Sequence, residues 1–308
     1  MRLPRPQQVQ KHVAMISLLI AMAAISRSYA QTSAPSSAHL PPWNDNSLIE
    51  VQKKGGDPAR AGDVKIAFYG HDAFKISSPD GLTVLTDPWH NDQSGSYSEW
   101  FLRDFPALRV DIVLSTHAHF DHDAVGKPNA LEVLERLVGQ FRLGDVEITG
   151  LADKHQCEPQ PADKATDANT CPPNNAIGLD NAIQLVATGG LRIAVWGDNR
   201  AVPDSSLDRY LKSVDVLILP VVNVLTRPEA DAIIRKYDPK VIIPSHYFIE
   251  GLNNAASGLE SVESWVGEQE THHADVRRLD RADLTLNPAE LKEAHHRIYY
   301  FGNHVEKQ

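Results

Sequence analysis

Four potential metal ligands lie within six residues, in the segment His117-Ala118-His119-Phe120-Asp121-His122. His117 and His119 are two residues apart, so an extended loop would point both imidazoles to one side. Asp121 and His122 follow as the chain turns, and they can face a second ion. Imidazole and carboxylate groups suit zinc, iron or manganese. The segment therefore predicts a centre for two divalent metal ions, with Zn²⁺ expected and Mn²⁺ or Fe²⁺ as alternatives.

Three further potential ligands each stand shortly after an apolar run of strand character: His155, Asp198 and His246. Ligands are commonly bound where the strands of an α/β sheet end, so these side chains are expected to converge with the segment at His117. Asp198 has a second interpretation, as the N-cap of a following helix. His155 has a neighbour, Cys157, that could itself bind metal.

The elements that must position these residues begin at residue 64, where short runs of β-forming residues alternate with turn signals such as Asp80-Gly81 and Gly189-Gly190. Strands are predicted at 64–69, 73–77, 82–86, 111–115, 146–150, 182–186, 191–196, 214–219, 241–243 and 297–301. Helices are predicted at 130–137, 207–211, 228–237 and 259–266. Hairpins followed by strand–helix–strand units, twice over, indicate an α/β fold of two sheets packed face to face with helices outside.

The N-terminus has the three-part pattern of a secretory signal peptide. Basic Arg2 and Arg5 precede an apolar run at 13–25, and Ser28-Tyr29-Ala30 offers small residues at a cleavage site. We expect cleavage after Ala30 and a periplasmic or secreted protein; an uncleaved anchor is the alternative, although the apolar run is short for a bilayer. The predicted organisation is a signal peptide at 1–30, an extended or disordered lead-in at 31–61 and one domain at 62–308.

The charge of the chain is acidic, with a net value of −10 from 40 Asp and Glu against 30 Lys and Arg. The first 30 residues hold four of the basic residues and none of the acidic ones, so the exported chain would carry −14. Such a surface repels nucleic acid and anionic membranes. We therefore expect a small-molecule substrate, no nucleic-acid partner and no stable membrane insertion after cleavage.

Two cysteines, Cys157 and Cys171, flank a segment rich in Pro and Asn. In an oxidising compartment a disulfide between them is the default. It would stabilise the fold by about 3 kcal/mol on the chain-entropy model.

Residues 64–249 resemble the metallo-β-lactamase superfamily, and in particular its ascorbate-6-phosphate lactonase-like branch. The resemblance rests on the motif at His117 together with four shorter ones: Tyr69-Gly70-His71, Thr86-Asp87-Pro88-Trp89, Gly197-Asp198-Asn199 and Pro244-Ser245-His246-Tyr247. It implies the αβ/βα sandwich fold. The classical penicillin-degrading members place a cysteine at the second metal where this chain has Asp198, which argues against that activity.

The resemblance also implies a division of the ligands. His117, His119 and His155 would hold the first metal, Asp121, His122 and His246 would hold the second, and Asp198 would bridge the two. Metal ligands need neighbours that fix their orientation, and Asp87 is the candidate for that second shell, with a plain turn aspartate as the alternative. His71 is expected to line the pocket, with a solvated hairpin histidine as the alternative.

The function these residues predict is hydrolysis of a small ester, lactone or phosphodiester by a metal-bridging hydroxide. Asp121 and Asp198 are the expected catalytic carboxylates. Two alternatives stay open at this stage: an iron-bound oxidoreductase on the same fold, and a metal-binding protein without turnover.

Overall fold

The computed structural model of the protein describes residues 55–156 and 179–307. The predicted signal peptide, most of the predicted lead-in and both cysteines of the predicted disulfide, Cys157 and Cys171, lie outside these residues. Within the described ranges, no helix combines the length and apolar character that crossing a bilayer requires.

Six of the described strands form a first mixed sheet: β1 (Val64–Phe68), β2 (Phe74–Ser77), β3 (Thr83–Thr86), β4 (Arg109–Ser115), β5 (Asn129–Glu135) and β13 (Asp283–Leu286). Their order is β13-β1-β2-β3-β4-β5. The pairs β13–β1, β1–β2 and β2–β3 are antiparallel, whereas β3–β4 and β4–β5 are parallel. Strands β1, β3 and β4 therefore run in the same direction and end at the same edge.

Eight of the described strands form a second mixed sheet: β6 (Gly139–Leu143), β7 (Val146–Asp153), β8 (Asn181–Thr188), β9 (Leu191–Val195), β10 (Val216–Pro220), β11 (Val241–Ser245), β12 (Val276–Arg278) and β14 (Arg297–Tyr300). Their order is β12-β14-β11-β10-β9-β8-β7-β6. Strands β9, β10, β11 and β14 are parallel. Because β8 is antiparallel to both β7 and β9, strands β7, β9 and β11 also share a direction.

The described α-helices are α1 (Asp208–Leu211), α2 (Arg227–Tyr237) and α3 (Glu263–Thr271). Helix α2 begins with a capping box, in which Thr226 and Glu229 satisfy each other's backbone donors, and Pro228 stands in its first turn. It ends where Asp238 adopts a left-handed conformation, with φ of 52°. The sequence prediction of a helix at 228–237 is confirmed to within one residue.

The helix predicted at 130–137 is wrong, because residues 130–135 of this segment belong to strand β5. The spacing of Leu131, Leu134 and Leu137 mimics a helical face. Strand β4 would otherwise present unpaired backbone groups at the edge of the first sheet, and β5 pairs with it from Arg109–Asn129 to Ser115–Glu135. Burial on β5 is only partial on both faces, as expected for an edge strand.

The helix predicted at 259–266 instead spans Glu263–Thr271. Backbone groups of Glu260 bond outside any helix, since its N–H donates to Asn223 Oδ1 at 2.8 Å and its carbonyl accepts from Phe248 N at 2.9 Å. Because of these loop contacts, α3 begins at Glu263 and not at residue 259. Strand β6 has no counterpart among the predicted strands; it pairs antiparallel with β7.

One hydrophobic core contains buried side chains from both sheets, among them Ile66, Leu85 and Val113 of the first and Ile193 and Ile243 of the second. The two mixed sheets with few helices confirm the predicted fold class. The loops that follow β1, β3 and β4, and those that follow β7, β9 and β11, carry the candidate site residues.

Candidate metal centre

The loop after β4 distributes its four potential ligands between two sets of side chains. Its chain direction reverses at His119, whose carbonyl accepts from both His122 N and Asp123 N at 2.9 Å. His117 and His119 lie before this turn, and Asp121 and His122 lie within it. The turn explains how six consecutive residues can supply two neighbouring sites.

The first donor group comprises His117, His119, His155 and Asp198, whose nearest ligand atoms all lie within 4.8 Å of one another. Its three imidazole rings form an almost regular triangle, with centroid separations of 4.6, 4.7 and 4.8 Å. His117 is buried, while His119 and His155 are partly open to solvent. Small molecules can therefore approach the site from this side.

The second donor group comprises His71, Asp121, His122 and His246, and all four are buried. Asp121 Oδ2 lies 3.0 Å from His71 Nε2 and 3.6 Å from the Nε2 atoms of both His122 and His246. One carboxylate oxygen therefore faces three imidazoles.

Asp198 lies between the two donor groups. Its Oδ2 is 3.3 Å from His155 Nε2 and 3.7 Å from His117 Nε2, both in the first group. Its Oδ1 is 3.3 Å from His122 Nε2 and 3.6 Å from His246 Nε2, both in the second. The two oxygens of one carboxylate thus face two different sets of imidazoles.

The cap interpretation of Asp198 is excluded by the position of the next helix. That helix is a 3₁₀ turn at Ser205–Leu207, and its N-cap is Asp204, whose carboxylate accepts from Ser206 N at 2.8 Å. Gly197, with φ of 56°, allows the Asp198 loop to approach the loop after β4. A Cβ at Gly197 would overlap the side chain of Thr116.

The electrostatics of the centre favour ionised carboxylates. Burial alone would raise the pKa of the Asp198 carboxyl, but the imidazoles of His122, His246 and His117 hold it well below its usual range. Burial also opposes ionisation of Asp121, and the His122, His246 and His71 imidazoles again hold its pKa well below the usual range. Both side chains therefore carry negative charge at neutral pH.

The residues of the two groups fit divalent metal ions. Among the described residues, His117 Nε2, His122 Nε2 and Asp198 Oδ1 are buried without a hydrogen-bond partner. Burying polar atoms in this way costs free energy unless another group satisfies them. Imidazole nitrogens and carboxylate oxygens are ligands of zinc, iron and manganese. Cations between these side chains would satisfy the buried atoms.

Asp87 connects the two groups behind their ligand atoms. Its Oδ2 lies 3.0 Å from His122 Nδ1 and accepts from the Thr116 hydroxyl at 2.8 Å, while its Oδ1 accepts from Thr116 N at 2.7 Å. The Thr116 hydroxyl oxygen lies 3.1 Å from His117 Nδ1. These contacts place an acceptor at Nδ1 of both imidazoles and leave each Nε2 to face the centre.

Asp72 is a residue of this site that the sequence analysis missed. It is completely buried, its Oδ2 lies 3.7 Å from His122 Nδ1, and burial raises the pKa of its carboxyl to about 6. Its position directly after His71 was the available signal. A short loop that carries one ligand candidate brings its neighbour close to the site as well.

Three aromatic side chains form a cluster beside the centre, which we call the aromatic rim: Tyr97, Trp100 and Phe120. Phe120 lies between His119 and Asp121 in the sequence, and its ring centroid is 5.4 Å from that of Tyr97 and 5.1 Å from that of Trp100. Trp100 also lies 6.1 Å from the His71 ring. Tyr97 is 59% exposed, so the rim offers an apolar surface to solvent next to the ligand candidates.

The structure thus brings together all nine of the predicted ligand and supporting residues that it describes. A family model described as "Beta-lactamase superfamily domain" matches residues 65–246, which include every member of both donor groups. The chain belongs to the metallo-β-lactamase superfamily. The resemblance noted in the sequence is confirmed at this level.

Similar proteins agree with this family. A metal-dependent hydrolase of Thermodesulfovibrio yellowstonii is 27% identical over 238 residues, covering 68% of this chain and 88% of the relative. A metal-dependent hydrolase of Pyrobaculum islandicum is 28% identical over 209 residues, covering 60% of this chain and 84% of the relative. This superfamily member is accordingly a metal-dependent hydrolase.

A solved structure supports the fold. A protein from Thermotoga maritima, described as a candidate zinc-dependent hydrolase of the metallo-β-lactamase superfamily, superposes with a TM-score of 0.52 at 22% identity. The match covers 77% of this chain and 97% of that protein. At this identity the likeness establishes the shared sandwich architecture.

Proposed function

We propose that the protein is an exported hydrolase that holds one divalent metal ion in each donor group and acts on small esters, lactones or phosphodiesters. The observation that carries this proposal is the placement of Asp198, whose two oxygens face different groups. Two cations held close together repel each other, and an anion between them offsets that repulsion. A buried carboxylate with this placement suits a pair of ions better than a single one.

The contacts support the following assignment of ligands. His117, His119 and His155 would hold the first ion, and Asp121, His122 and His246 would hold the second, with Asp198 shared. His71 belongs to the second group through its 3.0 Å contact with Asp121 Oδ2. Burial, together with the charge of nearby His246, lowers the pKa of His71 to about 3, so His71 is neutral and can donate one hydrogen bond from Nε2. We assign His71 as a positioning residue for Asp121.

Two bound divalent ions supply a water of lowered pKa and polarise the oxygens of a substrate carbonyl or phosphoryl group. The chain contributes the orientation. Asp121 and Asp198 stay ionised and can accept hydrogen bonds, and Asp87 together with Thr116 keeps two imidazoles in a fixed orientation. The solvent-open side of the first donor group, at His119 and His155, is the proposed entry for substrate.

The aromatic rim indicates the kind of substrate that the entry would favour. Tyr97 and Trp100 come from the loop after β3, whereas Phe120 comes from the loop after β4, and their rings meet beside the centre. Apolar groups bind favourably to such a surface, since binding removes both from water. We propose a small substrate that carries an apolar or aromatic substituent next to the bond that is cleaved.

Export and the disulfide are part of the same proposal. We propose cleavage after Ala30 and a bond between Cys157 and Cys171, because the sequence pattern of the first 30 residues is that of a signal peptide. The intact mass of protein recovered from the exported fraction tests both features. A mass that includes Met1 to Ala30 would contradict cleavage, and two alkylatable thiols in that protein would contradict the disulfide.

The hydrolytic function is tested by metal analysis of the purified chain followed by a substrate screen. We expect two tightly held divalent ions per chain, one in each donor group, and turnover of at least one ester, lactone or phosphodiester series. One ion per chain would contradict the dinuclear centre. Two iron ions with an oxygen-consuming reaction would replace the proposal by an oxidoreductase. A fully loaded protein inert toward all three substrate classes would contradict a hydrolase of these substrates.

A further inference from the structure

A third cluster of potential metal ligands lies away from the metal centre, and we call it the His295 cluster: Asp238, His295 and His296. Their nearest ligand atoms lie within 4.8 Å of one another. Asp238 follows helix α2, and the two histidines precede strand β14.

The His295 cluster is separated from the metal centre by the length of a strand. Strand β14 is parallel to β11, and Arg297 is paired with Val241 at the start of β11. His246 of the second donor group follows the other end of β11. Five residues of extended chain from Val241 to His246 span about 16 Å. The cluster therefore lies at the opposite edge of the second sheet.

The two imidazoles of the cluster point at a single oxygen atom. Asp238 Oδ1 is 2.9 Å from His296 Nε2 and 3.2 Å from His295 Nε2. The two rings are stacked, with centroids 4.0 Å apart and planes at 25°. Two nitrogens and one oxygen within 4.8 Å of one another are close enough to serve as three ligands of one ion.

An ion-paired cluster of two charged histidines is the simplest rival explanation, and the stacking argues against it. Two positively charged rings at 4.0 Å would repel each other. Metal binding uses the neutral form of an imidazole, in which the two rings do not repel each other in this way. Charged side chains of both signs line the adjoining cavity: Arg235 and Asp231, both of α2, and Asp275.

The adjoining cavity supplies further nitrogen donors. It has a volume of about 430 Å³, and its lining includes four histidines from two segments of the chain: His272, His273, His295 and His296. His272 caps the C-terminus of α3, and His273 follows it. The sequence shows two His-His pairs 22 residues apart, and only the fold reveals that both border one cavity.

We propose that Asp238, His295 and His296 bind one divalent transition-metal ion of the Zn²⁺, Ni²⁺ and Cu²⁺ class. Imidazole-rich sites favour these ions over Mg²⁺ and Ca²⁺. Three protein ligands leave a position open to water, and Asp238 and His295 are exposed to solvent. Such a site exchanges its ion with solvent, in contrast to the buried metal centre.

The test compares total metal content in matched proteins. The full-length chain is loaded with Zn²⁺, desalted and then dialysed against Ni²⁺, and the sum of zinc and nickel per chain is measured. We expect wild type to exceed His295→Ala by up to one ion per chain, because removing one ligand should lower the affinity of the variant for that ion at least tenfold, the lower end of the roughly 10–100-fold range for disturbed metal sites. Asp238→Asn should behave in the same way. His295 is 74% exposed, so its replacement should not disturb folding.

His304→Ala is the control, because His304 is also exposed and belongs to none of the candidate metal groups among the described residues. It should retain the additional ion. Equal metal content in wild type and His295→Ala would overturn the proposal, as would an additional ion lost from His273→Ala but kept by His295→Ala. The hydrolytic rate reports on the metal centre and not on the His295 cluster. His295→Ala should therefore keep the full rate, so that a failure of this proposal and a failure of the proposed function can be distinguished.

Discussion

Asp87 Oδ2 lies 3.0 Å from His122 Nδ1, in a pocket where both side chains are completely buried. The same carboxylate reaches His117 through the Thr116 hydroxyl, which donates to Asp87 and accepts from His117 Nδ1. One acidic side chain thus orients an imidazole in each donor group. Burial raises the pKa of Asp87, while the hydrogen bonds from His122 and Thr116 favour its charged form.

We expect Asp87→Asn to weaken binding of both metal ions. The amide keeps the shape of the side chain but is a poorer acceptor, so His122 and His117 lose the partner that fixes their orientation. Disturbing such supporting groups commonly lowers metal affinity by about 10- to 100-fold. Competition with a chromophoric chelator measures the affinity of each ion.

Asp111→Asn is a matched control for this variant. Asp111 supports the first sheet, since its Oδ2 accepts from both Thr83 N and Thr83 Oγ1 at 2.8 Å, and it belongs to neither donor group. It should change stability without changing metal affinity. An equal loss of affinity in both variants would mean that Asp87 acts through general stability alone.

His71→Phe should selectively empty the second donor group. A phenyl ring can occupy the space, because His71 already packs edge-on against Phe101 at 5.7 Å. The replacement removes the 3.0 Å contact that orients Asp121. We expect the tightly held metal of the two donor groups to fall from two ions per chain toward one, with the ion of the first group retained. His90→Phe, outside both groups, should keep two ions; two tightly held ions in His71→Phe would reduce His71 to a packing residue.

Much of the site could be predicted because its signals are local. Apolar runs bounded by turn residues identify the strands, and a polar residue just after such a run marks the edge where sites form. His155, Asp198 and His246 all follow this rule, after β7, β9 and β11. Because β9, β10 and β11 are parallel, their carboxyl ends lie at the same edge of the sheet. Strand direction alone therefore predicts that the residues after β9 and β11 lie close together.

What could not be predicted depends on contacts between distant parts of the chain. Residues 130–137 have helical spacing, but the unpaired edge of β4 turns them into a strand. Asp72 acquires its role only because the loop after β1 meets His122. Tyr97 and Trp100 stand about twenty residues before Phe120, and no local pattern connects them. Long-range packing decides such features, and single-sequence periodicity does not contain it.

Trp100→Ala should raise KM for esters with aromatic acyl groups while leaving acetate esters little changed. Trp100 belongs to the aromatic rim, and its ring centroid lies 5.1 Å from that of Phe120. An aromatic acyl group packed against Trp100 would contribute about 0.5–1.5 kcal/mol beyond the burial of apolar area. The expected increase in KM is therefore roughly threefold to tenfold, with kcat nearly constant. Steady-state kinetics on paired aromatic and acetate substrates measure this selectivity.

Leu102→Ala is the control for the rim, because Leu102 belongs to the same loop and is 55% exposed but is not aromatic. It should leave both substrates unaffected. A parallel loss for aromatic and acetate esters in Trp100→Ala would point to a distorted centre, and no change for either would remove the rim from substrate binding.

Asp198→Asn distinguishes the dinuclear hydrolase from its alternatives, because it keeps the shape of the side chain and removes its charge. Asp198 faces His155 and His117 with one oxygen and His122 and His246 with the other. Without the negative charge, two cations repel each other at close range, so the variant should retain one ion far better than two. Turnover should fall by at least about 100-fold, the lower range for losing a key electrostatic group.

Folding of Asp198→Asn should be preserved, since the two sheets are held together by a core of apolar side chains to which Asp198 does not belong. Metal content and hydrolytic rate are measured on wild type and variant side by side, with Asp204→Asn as the control for a nearby helix cap. The control should lose about 1 kcal/mol of stability or less and keep both ions. If Asp198→Asn also keeps two ions and the full rate, the shared carboxylate is not needed to hold the pair, and the proposed dinuclear mechanism fails. If it loses metal from a protein with no measurable hydrolysis, the ions serve binding rather than turnover.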